Sequence, residues 1–283
     1  AKSLHIACIQ TQPNSSIDDA LSEALNLAKS AVSKGAEFLF FPEYCGGLMS
    51  ENGKLRPPAL PEEIHPFLLS MQDFSKKNKV WIMIGSIAVT AQGGKIFNRG
   101  FVLDCYGKTI SRYDKIHMFD IQLSSDQVIR ESAFVSPGSE ASIMKTPFGL
   151  IGHSICYDLR FPELYRKMAQ AGAEIVCVPA AFTKKTGEAH WHILNRARAI
   201  ENGIFIIAPC SVGKVSGGGE AYGHSLIINP WGQIMADGGS EPGIVYAKIN
   251  LNEVAEARNK IPSLSHDRSF SIALKNRDYR SVA

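Results

Sequence analysis

The chain has 283 residues, 45% of them apolar, which is enough material for a large core, and its net charge is only +3. Its lysines and arginines are spread without a basic run, which argues against a nucleic-acid or membrane-surface partner, and no apolar stretch suits a signal peptide or a membrane span. Length alone would allow two domains, but α/β architectures often use this much chain as one, so residues 1–283 are read as a single domain acting on a small molecule.

Residues 4–10 read as a first buried strand, followed by the turn Thr11-Gln-Pro-Asn-Ser-Ser16. Ile17, Leu21, Ala24, Leu25, Ala28, Ala31 and Val32 then form a stripe at helical spacing that Gly35 stops. A second strand, 38–41, ends at Pro42-Glu43, and the polar, proline-rich segment from Cys45 to Pro61 reads as loop. A helix over about 66–78 precedes a strand at 80–89, and strands at 96–103 and 108–113 are joined through Asp104-Cys-Tyr-Gly107, a hairpin signal.

Residues 149–155 predict another buried strand, and Pro162-Glu163 opens a helix, since proline pre-sets the first-turn φ and glutamate suits the positive helix end. Cys156 therefore falls in a strand-to-helix turn, where a thiol is expected to have a lowered pKa. Gly172-Ala-Glu-Ile-Val-Cys-Val-Pro179 echoes Gly35-Ala-Glu-Phe-Leu-Phe-Phe-Pro42. A helix over about 187–202, a strand at 204–208 and the stretch 225–234, which mirrors the 101–110 hairpin, complete a second copy. The expectation is two β-α-β-α-β-β halves with sheets inside and helices outside.

Three polar residues each follow a strand: Glu43, Lys115 and Cys156. In α/β folds ligands sit where strand ends open into loops. A thiol nucleophile needs a base, which a buried Glu43 can be, and a tetrahedral oxyanion needs a fixed donor, which Lys115 and the backbone N–H after Cys156 can supply. Taken singly, Lys115 reads rather as surface charge, Glu43 as a helix-proximal or solvated carboxylate and Cys156 as a buried core residue.

Other signals point away from chemistry. Cys8, Cys45, Cys105, Cys156, Cys177 and Cys210 include no C-x-x-C pair, so neither zinc nor a disulfide framework is expected, and a reducing, cytoplasmic setting is favoured. His190 and His192 beside Glu188 point to different sides of a helix, which disfavours a metal site. Gly152-His-Ser154 lacks the final glycine of a serine-nucleophile elbow, and Gly217-Gly-Gly219 reads as a flexible turn.

Phe-Phe-Pro-Glu43-Tyr, Tyr-Asp-Lys115-Ile-His and Ile-Cys156-Tyr-Asp-Leu-Arg-Phe-Pro-Glu resemble the Glu-Lys-Cys motifs of the nitrilase, or carbon–nitrogen hydrolase, superfamily. The likeness runs from about residue 4 to 270 and includes Arg196-Ala-Arg-Ala-Ile-Glu-Asn202 and Tyr222-Gly-His-Ser225. It implies an α-β-β-α sandwich, usually assembled into homodimers or larger homo-oligomers, and it needs no cofactor and no metal. It further implies that Cys156 attacks an amide carbon, Glu43 shuttles the proton and Lys115 steadies the oxyanion, with Glu131 as a second contributing glutamate. Cys-Tyr-Asp-Leu-Arg-Phe-Pro-Glu is similar to the branch containing ω-amidase and deaminated glutathione amidase. There Arg160 would clamp a substrate carboxylate, unless it partners Asp158 or Glu163, and Tyr157 and Thr186 would line the pocket. Nitrile hydrolysis, N-carbamoyl amide hydrolysis and a catalytically idle scaffold are the alternatives. The tail from about residue 262, with apolar Phe270-Ser-Ile-Ala-Leu274, is expected at an oligomer interface.

Overall fold

In the strand β1 (Leu4–Gln10), Ile6 and Cys8 alternate with Ala7 and Ile9, and all four are fully buried. A strand buried on both faces needs a layer against each. The computed structural model, which describes residues 3–125 and 127–274, supplies both. On one side lies α1 (Ile17–Ser33), capped by Ser16, whose hydroxyl accepts the Asp19 N–H at 3.1 Å. Its deepest positions are Ala20, Ala24, Ala28 and Ala31, so small side chains let the helix lie close to the sheet. The sheet continues through β2 (Phe38–Phe40), β3 (Trp81–Thr90), β4 (Ile96–Leu103) and β5 (Thr109–Asp114). Helix α2 (Pro66–Asn78), with Pro66 in its first turn, packs beside α1.

The second half repeats this order. It runs β6 (Ile143–Thr146), β7 (Gly149–His153), α3 (Pro162–Gln170), β8 (Ile175–Cys177), α4 (His192–Asn202), β9 (Phe205–Ala208), β10 (Leu226–Ile228), β11 (Ile234–Asp237) and β12 (Gly243–Ile249), before α5 (Asn252–Lys260). The first sheet has the order β12-β1-β2-β3-β4-β5 and the second β6-β7-β8-β9-β10-β11. Both read antiparallel, parallel, parallel, antiparallel, antiparallel from one edge to the other. Strand β12 returns to the first sheet, where Leu4 faces Ile249 and Gln10 faces Gly243.

Side-chain alternation assigns the cores. Ile6, Cys8, Phe38 and Phe40 meet Ile175, Cys177, Phe205 and Ile207 between the two sheets. Ala7, Ile9 and Leu39 face α1 and α2, while Val176 and Ile206 face α3 and α4. The result is a four-layer α-β-β-α sandwich, as expected from the paired halves.

Several expectations change in detail. The antiparallel edge strands β6 and β12 were not foreseen. The segment 45–61 is not wholly loop, since Ser50–Glu51 and Lys54–Leu55 pair as a short hairpin. The strand at 149–155 stops at His153, because the Ser154 hydroxyl and N–H both turn to the Cys177 carbonyl. The helix expected at 187–202 is compound: a π turn at Gly187–Trp191 precedes α4. Phe270, Ile272 and Leu274 are exposed, and residues 275–283 of the expected interface tail lie outside the described residues. Among the described residues, no helix is long and apolar enough to cross a membrane.

Candidate active site

Glu43 stands at the exit of β2. The chain there is held by Phe41 N–H on the Met83 carbonyl and by Ser86 N–H on the Pro42 carbonyl. A Cβ on Gly85 would come within 2.1 Å of the Phe41 carbonyl oxygen and 2.4 Å of Pro179, so glycine is required where the two halves meet. Pro42 and Pro179, the ends of the repeated sequence segments, thus converge. Cys156 N–H donates to the Pro179 carbonyl at 2.9 Å, and Ala181 N–H donates to Glu43 Oε2 at 2.9 Å.

Lys115 follows β5, is 1% exposed, and is fixed by its own N–H on the Asn98 carbonyl. Its Nζ donates to Glu43 Oε1 at 3.1 Å and to Glu131 Oε2 at 3.1 Å. Asn98 Nδ2 adds a second donor to Glu43 Oε1 at 2.9 Å. Glu131, in a 3₁₀ turn at Glu131–Ala133, pairs with Lys115 and is 2% exposed. Its Oε1 lies 3.0 Å from Nζ but outside hydrogen-bonding direction.

Cys156 begins a five-residue 3₁₀ turn between β7 and α3 and has φ +48°, a left-handed conformation that is costly for any residue but glycine. The turn is tied down by Asp158, which is fully buried. Asp158 Oδ2 accepts Ile155 N–H at 2.9 Å and the Tyr113 hydroxyl at 2.6 Å, and Oδ1 accepts His117 N–H at 3.0 Å and meets His117 Nδ1 at 2.7 Å. One carboxylate therefore clasps the residue before Cys156 and the residues two on either side of Lys115.

Electrostatics overturn the expectation of an acidified thiol. Burial, and then the Glu43 carboxylate acting by charge and by hydrogen bonding, push the Cys156 thiol well above its usual range, outweighing Lys115. The following turn is too short to provide a compensating helix dipole. Lys115 is disfavoured as a cation by burial, but Glu131 and Glu43 outweigh this and hold it charged. Burial raises the Glu131 carboxyl despite Lys115. A neutral thiol, a carboxylate and an ammonium can together perform base-assisted thiol attack with charge stabilisation.

These residues line a cavity of about 790 Å³ together with Tyr44, Tyr157 and Thr186. Arg160 is not among its walls. Its guanidinium meets His190 Nδ1 at 3.3 Å and lies over the ring of Phe182, which does line the cavity, and its partner is neither Asp158 nor Glu163. Lys54, Arg56 and Arg130 supply the cavity's remaining cations. Sequence reasoning missed Asn98, and it missed Lys54 and Arg56, which sit in a segment read simply as loop. Gly217, at φ +84° with space for a Cβ closed by the Ser50 carbonyl oxygen, lets the hairpin of Val212–Lys214 and Glu220–Tyr222 dock on the Ser50–Leu55 hairpin at the rim.

Ser154 is engaged with Cys177 and Tyr165 and does not line the cavity. Among the described residues, the cluster with metal-ligand composition is His192, His224 and Asp237. Both imidazoles already bond Asp237, at 2.8 Å each, and none of the three lines the cavity.

The carbon-nitrogen hydrolase family profile matches residues 5–259. Deaminated glutathione amidase of Synechocystis is 37% identical over 265 residues, covering 92% of this chain and 96% of the relative. Human omega-amidase NIT2 is 34% identical over 274 residues, covering 96% and 98%. Among solved structures, the C. elegans NitFhit protein superposes with a TM-score of 0.85 at 30% identity, covering 94% of this chain and 65% of that longer one. Saccharomyces cerevisiae Nit3, of the nitrilase superfamily, gives 0.79 at 25% identity, covering 93% and 95%. With matched sequence across nearly its whole length and the same sandwich beneath it, this chain belongs to the carbon–nitrogen hydrolase family.

Proposed function

We propose that this protein hydrolyses the amide C–N bond of a small carboxylated amide, releasing ammonia through a thioester on Cys156. The observation that carries the reading is the convergence, in one cavity, of Cys156, Glu43 and Lys115 from three distant strand ends. As sulfur attacks the carbonyl carbon, the thiol proton passes to Glu43. The oxyanion is met by Lys115 Nζ and by Tyr157 N–H, one of the opening amides of a helical turn, which have no acceptor within it. Glu43 returns the proton to nitrogen as the C–N bond breaks and ammonia leaves. Water then attacks the thioester, Glu43 takes its proton, and acid and free thiol are regenerated.

The relatives named deaminated glutathione amidase and omega-amidase support this substrate class, with deaminated glutathione or an α-keto-acid ω-amide as the candidates. Lys54, Arg56 and Arg130 are available to a substrate carboxylate, in place of Arg160. A cytoplasmic setting is supported by six unpaired cysteines. Assembly into a homodimer or larger homo-oligomer is supported by the exposed Ile193, Ile200 and Trp231 and by the exposed Phe270, Ile272 and Leu274.

Ammonia release from α-ketoglutaramate, deaminated glutathione, a simple nitrile and an N-carbamoyl amino acid, compared side by side, tests the reading. Faster turnover of either carboxylated amide is expected. Preference for the nitrile or the carbamoyl compound would reassign the substrate, and no turnover of any would favour an idle scaffold.

A further inference from the structure

Tyr44 follows the base Glu43 directly, yet nothing in the chemistry above uses it. It is 3% exposed, and its hydroxyl has no hydrogen-bond partner among the described residues. A buried hydroxyl without a partner is costly, and one in a cavity wall can take its partner from what the cavity binds. Its backbone is held with equal deliberation. Tyr44 sits at φ +51°, a left-handed conformation that is strained for a side chain of this size. Its N–H is pinned to the buried Ser86 hydroxyl at 2.8 Å, and Cys45 N–H bonds the Ser86 carbonyl at 3.0 Å. The ring packs with Leu48 and Ala88, against Leu55, Ala181 and Val215, so apolar contacts fix its direction without engaging the hydroxyl.

The hydroxyl's charged surroundings are the active-site groups themselves. Glu131 acts on it most strongly, followed by Glu43, Lys115 and Cys156. Tyr44 lines the same cavity as Cys156, Glu43, Lys115 and Glu131. An unpartnered hydroxyl in the wall of the cavity that holds the nucleophile matches a hydrogen of a primary carboxamide. We infer that Tyr44 is a substrate-binding residue: its hydroxyl oxygen accepts an N–H of the scissile carboxamide. This rests on the amidase reading and deepens it, since it selects a primary amide over an ester of the same acid, which has no hydrogen to donate.

The test compares wild type and Tyr44→Phe on succinamate and on monomethyl succinate, with Tm measured on both free proteins. Y44F is expected to keep or raise Tm, because it removes an unsatisfied buried group. It is also expected to lose about tenfold in kcat/KM on the amide, the value of about 1.4 kcal/mol for one hydrogen bond, while staying within about twofold on the ester. Equal loss on both substrates, or no loss on the amide by a variant of an active wild type, would overturn the assignment. A Tm lower by several degrees would also overturn it, by showing that the hydroxyl is satisfied in the free protein. A wild type that turns over no amide would instead remove the proposed function, and this role with it.

Discussion

Asp158, two residues after Cys156, accepts the hydroxyl of Tyr113, two residues before Lys115, at 2.6 Å. The same carboxylate receives the backbone N–H groups of Ile155 and His117, so the nucleophile turn and the lysine loop share one anchor. Asp158 is thereby a positioning residue.

Asp158→Asn puts an NH₂ group where one oxygen accepts, and it will face at least one donor. The expected cost is roughly 2–4 kcal/mol of stability. Because sulfur and ammonium lose their common reference, kcat is expected to fall by about 10²-fold or more, more steeply than KM rises. Chemical denaturation and steady-state kinetics on the same preparation check both, and a variant with wild-type kcat would deny the clasp its role.

Glu43→Gln separates acid–base chemistry from thiol acidity. The carboxylate's charge is, after burial, the largest influence raising the Cys156 thiol. Its removal is therefore expected to lower the thiol pKa while reducing amide turnover by about 10²–10⁴-fold. The pH dependence of iodoacetamide labelling at Cys156 reports the first and ammonia release the second. Faster labelling near neutral pH alongside lost turnover is the expected pair, and a thiol that labels more slowly would contradict the assigned electrostatics.

Stability is expected to fall below neutral pH. Burial lowers His65 to about 4 and His153 to about 3, from 6.5. Both are neutral in the folded protein while the unfolded chain takes up protons, so their contribution is complete above about pH 6.5 and declines as pH drops toward the folded values. At pH 5 each costs roughly 2 kcal/mol, about 4 together. Calorimetry at pH 7 and pH 5 should show Tm lower by several degrees at the acid end, and a flat profile would mean that both imidazoles reach water.

What could be read from the residues followed from local rules. The stripe from Ile17 to Val32, Pro162 at a helix start and the strands ending in Pro42 and Pro179 are short-range signals, and the four-layer sandwich follows from pairing them. Glu43, Lys115 and Cys156 stood out because each follows a strand, and the structure brings all three to one cavity. The remainder is long-range. Nothing near Gly243 indicates that β12 crosses back to pair with β1, and no spacing links Asn98 to Glu43 or Tyr113 to Asp158. The family likeness implied that Arg160 clamps a substrate carboxylate unless it partners Asp158 or Glu163, and no local signal pointed to the His190 and Phe182 that its side chain meets. The thiol's acidity was misjudged because the turn is visible in sequence while burial beside a carboxylate is not. The short hairpin Asp120–Ser124 with Gln127–Arg130, which precedes Glu131, is too brief to show a period.

The acyl-enzyme tests the central claim most directly. Wild-type protein mixed with a carboxylated primary amide and quenched in acid within the first turnovers should show, by intact mass, a single adduct equal to the substrate less ammonia. Peptide mapping should assign it to Cys156, and Cys156→Ala, folded to the same Tm, should show neither adduct nor ammonia. Ammonia released by C156A at the wild-type rate, or an adduct on another residue, would contradict the account.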